Sequence, residues 1–169
     1  MRCKLIVEGK EFDIDILDPE LQKLIKPEKK TGYEKVGHAR PYFSTYPSGK
    51  VDAFTSTNGN KDNEVYEGAN YYSDKIVAEN NARADKLMRQ LRRFAVEHRK
   101  SQLCWIRGCC NAKWSIIYDC NNELLRTSKN WDLRKAFAIY FDSEEAANFA
   151  IETFRDELIW YFTEYKDSL

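Results

Sequence analysis

The chain carries the same strand-to-helix junction twice. Tyr71-Tyr72-Ser73-Asp74-Lys75-Ile76-Val77-Ala78 lies over Tyr140-Phe141-Asp142-Ser143-Glu144-Glu145-Ala146-Ala147 at a constant offset of 69 residues. In each copy an aromatic pair ends a strand, a short polar pair caps a helix, and small residues open the buried face. A pattern of paired strands precedes each junction. The class read from this is α+β: an N-terminal β-hairpin and two tandem strand–strand–strand–helix units, antiparallel sheets packed by two long helices. The implied divisions are 1–31, 32–101 and 102–169.

Local signals fill in the units. Leu5 and Val7, then Phe12, Ile14 and Ile16, alternate with polar neighbours on either side of a Gly9-Lys10 turn. Asp18-Pro19-Glu20 opens a short helix carrying Leu21, Leu24 and Ile25, which stops at Pro27, and the charged stretch 26–32 links it onward. Tyr42 to Tyr46 and Lys50 to Thr55 flank the turn Pro47-Ser48-Gly49. Thr55 to Asn63 is the most loop-like stretch. Apolar residues at Ile76-Val77, Ala84, Leu87-Met88, Leu91 and Phe94-Ala95 predict a helix from Ser73 or Asp74 to about Arg99. Strands are expected at Leu103–Ile106, Trp114–Tyr118, Glu123–Arg126 and Ala136–Phe141. A final helix starts at Asp142-Ser143, with Asp142 and Glu145 at capping-box spacing, and reaches about Tyr165.

Composition narrows the class of protein. In 169 residues, 27 Lys+Arg balance 27 Asp+Glu, which argues against a polybasic tail or a wholly acidic mimic. No apolar run approaches the roughly 18 residues of a membrane span. Met1-Arg2-Cys3-Lys4 leads into a strand-like pattern rather than a signal peptide. Five cysteines, an odd number, point to reduced thiols and a cytosolic setting.

The neutral total conceals a separation of charge. Residues 1–70 carry a net −1, residues 71–135 a net +7 and residues 136–169 a net −6. On the first long helix Lys86, Arg89, Arg93 and Lys100 fall on one stripe at 100° per residue, with Arg92 and Arg83 at its flanks. Such a ridge suits phosphate contact, and it equally suits an ordinary solvated face or a face paired with acids elsewhere. On the last helix Ala147, Phe154, Leu158, Tyr161 and Tyr165 form the core stripe. Glu145, Glu152 and Asp156 stack opposite, bordered by Phe149, Ile159 and Trp160. These extra apolar residues are either buried within the fold, or covered by another subunit, or part of a partner-facing patch.

No catalytic set is expected. Neither His38 nor His98 sits in a Ser-His-Asp or Cys-His pattern, and G-x-S-x-G, P-loop and G-x-G-x-x-G sequences are missing. Cys104, Cys109, Cys110 and Cys120 follow a C-x4-C-C-x9-C spacing without the C-x2-C knuckles of zinc sites. Adjacent Cys109 and Cys110 in a strand would point to opposite faces, so neither metal nor cofactor is expected. Tyr42, Phe43, Tyr46, Tyr71 and Tyr72 suit a sheet core better than a base-stacking platform, since no RNP-type motif accompanies them.

Three longer stretches carry a resemblance. They are Gly32-Tyr33-Glu34-Lys35-Val36, then Asn70 to Asp74 with Ala78 to Leu87, then Ile139 to Ala147 continuing through Asp156 to Phe162. They resemble small accessory proteins encoded by phages and prophages of Gram-positive bacteria, over most of residues 32–167. Some such proteins act as anti-CRISPR or other anti-defence inhibitors, and the resemblance implies that role without assigning residues to it. The expected function is therefore a non-enzymatic, phage-encoded inhibitor, acting in the host bacterial cytoplasm, that binds a host defence effector such as a CRISPR nuclease and blocks its nucleic-acid access or cleavage. Glu145, Phe149, Glu152, Asp156 and Trp160 would face that partner. The alternative is a DNA- or RNA-binding accessory protein acting through Lys86, Arg89, Arg92, Arg93 and Lys100. An oligomer is compatible with either.

Overall fold

A computed structural model describes residues 2–7, 10–15, 30–105, 111–131 and 134–168. It divides into two compact units, residues 1–30 and 31–169. The class is α+β, and no described helix is long and apolar enough to cross a membrane.

In the first unit β1 (Arg2–Val7) pairs antiparallel with β2 (Lys10–Asp15), from Arg2 opposite Asp15 to Val7 opposite Lys10. Lys10, expected in the turn, is already a strand residue. Lys4 and Glu11 form an exposed ion pair at 2.6 Å. The short helix expected at Asp18–Ile25 lies outside the described residues.

The second unit holds the two copies. In the first, β3 (Pro41–Thr45) and β4 (Val51–Thr55) form an antiparallel hairpin, and Gly49 takes the left-handed φ of +88° that closes its turn. The third strand of the expected unit contracts to a single bridge between Phe43 and Tyr72 (N···O 2.8 and 3.0 Å). Helix α2 (Lys75–Glu97) follows, capped by Asp74, whose carboxylate accepts from the amides of Ile76 and Val77. In the second copy β5 (Lys113–Asp119) pairs antiparallel with β6 (Leu124–Asn130), and Trp114 bridges Phe141 (2.9 and 2.8 Å). Tyr72 and Phe141 keep the 69-residue offset, as do the caps Asp74 and Ser143. The repeated junction is thus a repeated structure: hairpin, bridge, capped helix.

Five sequence expectations are corrected. Residues 55–63 are not all loop, because α1 (Asn60–Glu67) begins inside them. Its buried Asp62 accepts from the Thr57 amide (2.7 Å) and the Ser56 hydroxyl (3.3 Å), tying the first turn to the preceding chain. Residues 103–105 are not a strand, and of the stretch 136–141 only Phe141 pairs. The cap of the last helix is Ser143, which accepts from the Ala146 amide, and not Asp142. That helix is two: α3 (Glu144–Thr153) and α4 (Arg155–Thr163), divided at Phe154 (φ −115°, ψ 22°). Next to the break the Thr153 hydroxyl donates back to the Phe149 carbonyl (2.7 Å), a contact that bends helices.

Packing explains why the helices lie where they do. The C-terminal half of α2 supplies Leu87, Leu91, Phe94 and Ala95 to one core with Phe141, Ala147, Ala150, Ile151 and Leu158 of the second copy. Its N-terminal turn supplies Val77 and Ala78 to a smaller cluster around Tyr72, closed by Phe43 and Val51. One helix therefore serves both hairpins. Ahead of it, the Glu34 carboxylate accepts from the Thr31 amide, the Thr31 hydroxyl (2.8 Å), the Gly32 amide (3.2 Å) and the Ser73 hydroxyl (2.7 Å). These donors hold its carboxyl at about 2, down from 4.5.

Candidate nucleic-acid interface

The expected cationic ridge on α2 is largely engaged within the protein. Arg83 pairs with Glu157 through two nitrogens (2.8 and 3.1 Å). Arg89 donates to the Pro47 carbonyl (2.9 Å), and Arg93 pairs with Glu97 (3.6 Å) one turn along. The Lys86 stem packs beside Gly49, where an added Cβ would come within 3.1 Å of it. Lys100 falls off the stripe altogether, because the helix ends at Glu97 with His98 as its cap.

What remains free is the far end. Arg92 and Arg99, one on the helix and one just past it, line a concavity of about 210 Å³ with Trp105, Arg134, Ile139 and Tyr140. The other described lining residues are apolar, and none of the described lining residues is a carboxylate. Among the described residues Arg92, Arg99 and Arg134 make no ion pair. Trp105 stands edge-on to Tyr140 (centroids 4.7 Å, 71°), while Arg134 and the Lys113 ammonium lie 5.5 and 4.9 Å from its ring centre. The Tyr140 hydroxyl accepts from the Lys135 amide (2.7 Å), which fixes that ring. Lys113, only 1% exposed, also donates to the Trp131 carbonyl (3.2 Å).

The segment that carries Trp105 into place is anchored by Asp142. Its Oδ2 accepts from the amides of Lys100 (2.7 Å) and Ser101 (2.6 Å) and from the Ser101 hydroxyl (3.2 Å). Partial burial pushes this carboxyl up, but the Ser101 and Lys100 amides outweigh it and leave it below its ordinary value. Three guanidinium groups lining one concavity with an indole, with no acid among the described lining residues, suit a phosphate joined to a flat ring.

The acidic surface is arranged differently from the continuous stripe read in the sequence. The break at Phe154 puts Glu145 and Glu152 on α3 and Asp156 on α4. Glu145 and Asp156 each sit in a helix's first turn, where a carboxylate complements the helix dipole. Trp160 is 8% exposed, with the Arg83 guanidinium 3.9 Å above its ring, so it is a packing residue and not a surface anchor. Phe149 is 49% exposed and touches Phe94 and His98 at 5.3 Å.

The remaining candidates are quickly placed. Tyr42, Tyr71 and Tyr72 are buried, with Tyr42 stacked on Tyr71 at 4.2 Å. His98 stacks on Phe94 (3.9 Å), its Nδ1 2.9 Å from the Phe94 carbonyl. Cys109 and Cys110 lie outside the described residues, and Cys104 and Cys120 are free thiols. Among the described residues no three His, Cys, Asp or Glu side chains gather as metal ligands would. Sequence reasoning found Arg92 but missed Arg99, Arg134 and Trp105. The alternation of cations with tryptophan along 105–135 was the available signal. No protein-family model matches the chain, and no curated protein or solved structure matches it.

Proposed function

We propose that the protein is a non-enzymatic, nucleic-acid-binding accessory protein whose contact site is the concavity at the end of α2. The observation that carries this reading is that Arg92, Arg99 and Arg134 line one concavity with Trp105, with no carboxylate among its described lining residues. Phosphate supplies most of the affinity in such contacts, and each neutralised phosphate adds a fixed salt dependence. The test is retention of labelled oligonucleotide by Arg92→Glu combined with Arg99→Glu. Loss of retention is expected, with the slope of log K against log salt reduced by about two. Arg89→Glu combined with Arg93→Glu is expected to bind much better than this pair, since those side chains are engaged elsewhere. Unchanged retention in the Arg92/Arg99 variant would remove the concavity as the site.

A second reading keeps the inhibitor of a host defence effector, such as a CRISPR nuclease. Its support is narrower: exposed Phe149 beside Glu145 and Glu152 on α3. A pull-down repeated after nuclease digestion separates the two, because capture through nucleic acid disappears and direct capture of a protein persists.

A further inference from the structure

Beyond the concavity, the same buried cation also reaches the backbone of a second tryptophan. The Lys113 ammonium sits over Trp105 (4.9 Å) and donates to the backbone carbonyl of Trp131 (3.2 Å). Trp131 is 48% exposed at the end of β6, and Lys129 lies 4.6 Å over its ring and 5.4 Å over that of Trp114. Lys113 thus links the Trp105 ring, over which Arg134 also lies, to the Trp131 backbone, and Lys129 flanks the exposed Trp131 ring.

Resting on the reading above, we propose that these two tryptophans with their flanking cations form a track for single-stranded nucleic acid, in which Trp131 is a second stacking platform beside the Trp105 concavity. Two observations favour a single strand over a duplex. First, the faces of paired bases are hidden inside a duplex, whereas an exposed indole flanked by a lysine offers stacking to one unpaired base and charge to its phosphate. Second, on α2, the longest and most cationic described helix, Arg83, Arg89 and Arg93 are held by Glu157, Pro47 and Glu97. Groove reading would need those side chains released.

The experiment measures fluorescence anisotropy of the full chain with oligo-dT and oligo-U of about 12 nucleotides, a duplex of equal length, and heparin as a base-free polyanion. The parent is expected to bind at least one single strand about tenfold more tightly than the duplex. Trp131→Ala should weaken that binding about 5- to 100-fold, whereas Trp131→Phe should recover most of it. Neither variant should change heparin binding. Melting curves accompany each variant, and half-exposed Trp131 is expected to leave them little changed. Equal binding of duplex and single strand, or no effect of Trp131→Ala, would overturn the track while leaving an electrostatic site at Arg92 and Arg99. If the parent bound none of these probes, both this inference and the function it rests on would fall.

Discussion

The Arg83 guanidinium lies 3.9 Å above the Trp160 indole. The same group grips Glu157 by two hydrogen bonds, so a single side chain joins the helix of the first copy to the last helix of the second. The indole is covered by a delocalised cation that needs less hydration than an ammonium would.

Arg83→Ala is expected to destabilise the protein by about 1–2 kcal/mol, most of it from uncovering Trp160 and little from the half-exposed ion pair. Arg83→Lys should recover only a minor part, because an ammonium cannot stack flat or hold both carboxylate oxygens. Urea unfolding monitored by tryptophan fluorescence measures both. Full recovery by lysine would show that charge alone matters there.

Glu34 predicts a pH dependence. Its carboxyl is depressed in the folded protein, from 4.5 to about 2, by the Thr31 amide and then the Ser73 hydroxyl. A depressed acid adds stability that is complete above its unfolded value and is lost as pH falls through the window from about 4.5 to 2. Urea midpoints at pH 6 and pH 3 should therefore differ less in Glu34→Gln than in the parent. An identical pH dependence would mean that the donors around Glu34 favour both protonation states equally.

Phe137 has φ of 62° and is 93% exposed. A left-handed backbone strains a residue with a side chain, and this one returns little by burial. Phe137→Gly is expected to raise stability by up to about 1 kcal/mol, with the glycine's greater unfolded-state freedom offsetting part of the relief. A thermal melt is sufficient to see it, and a lowered melting temperature would show that the ring makes a contact worth more than the strain.

Asp142 offers a test in which packing and charge predict opposite signs. Removing an acid would, by charge alone, strengthen phosphate binding. Because Asp142 pins the amides of Lys100 and Ser101, its loss should instead loosen the path to Trp105 and weaken binding several-fold. Asp142→Asn keeps an oxygen acceptor and should fall between Asp142→Ala and the parent. Oligonucleotide titration of the three proteins reads the order directly.

The hairpins and the onset of α2 were legible because strand alternation, Pro47-Ser48-Gly49 and the Asp74 cap are local signals. Helix α1 was not, because its stabilisation comes from Asp62 reaching back to Ser56 and Thr57, in a stretch whose composition favours loops. The break at Phe154 was hidden too, since neither proline nor glycine marks it and the Thr153 hydroxyl acts only once the helix has formed. Helical spacing identified Arg92, but Arg134 and Trp105 meet it only through the packing of the second copy. Trp160 was misassigned because periodicity places a residue on a face without saying that Arg83 will cover it.

The 69-residue offset also aligns positions that have diverged. Arg92 corresponds to Tyr161, Arg99 to Ser168 and Arg93 to Phe162, while Asp85 corresponds to Phe154, where the second helix breaks. The cations of the proposed site thus have aromatic or neutral counterparts in the other copy. Tyr161 packs against the core that α2 also enters. The pseudo-symmetry of the fold is consequently confined to its junctions, and beyond them the copies divide their labour. One helix is continuous and, among the described residues, leaves Arg92 unpaired near its end, while the other is interrupted at Phe154 into two segments that wall the core.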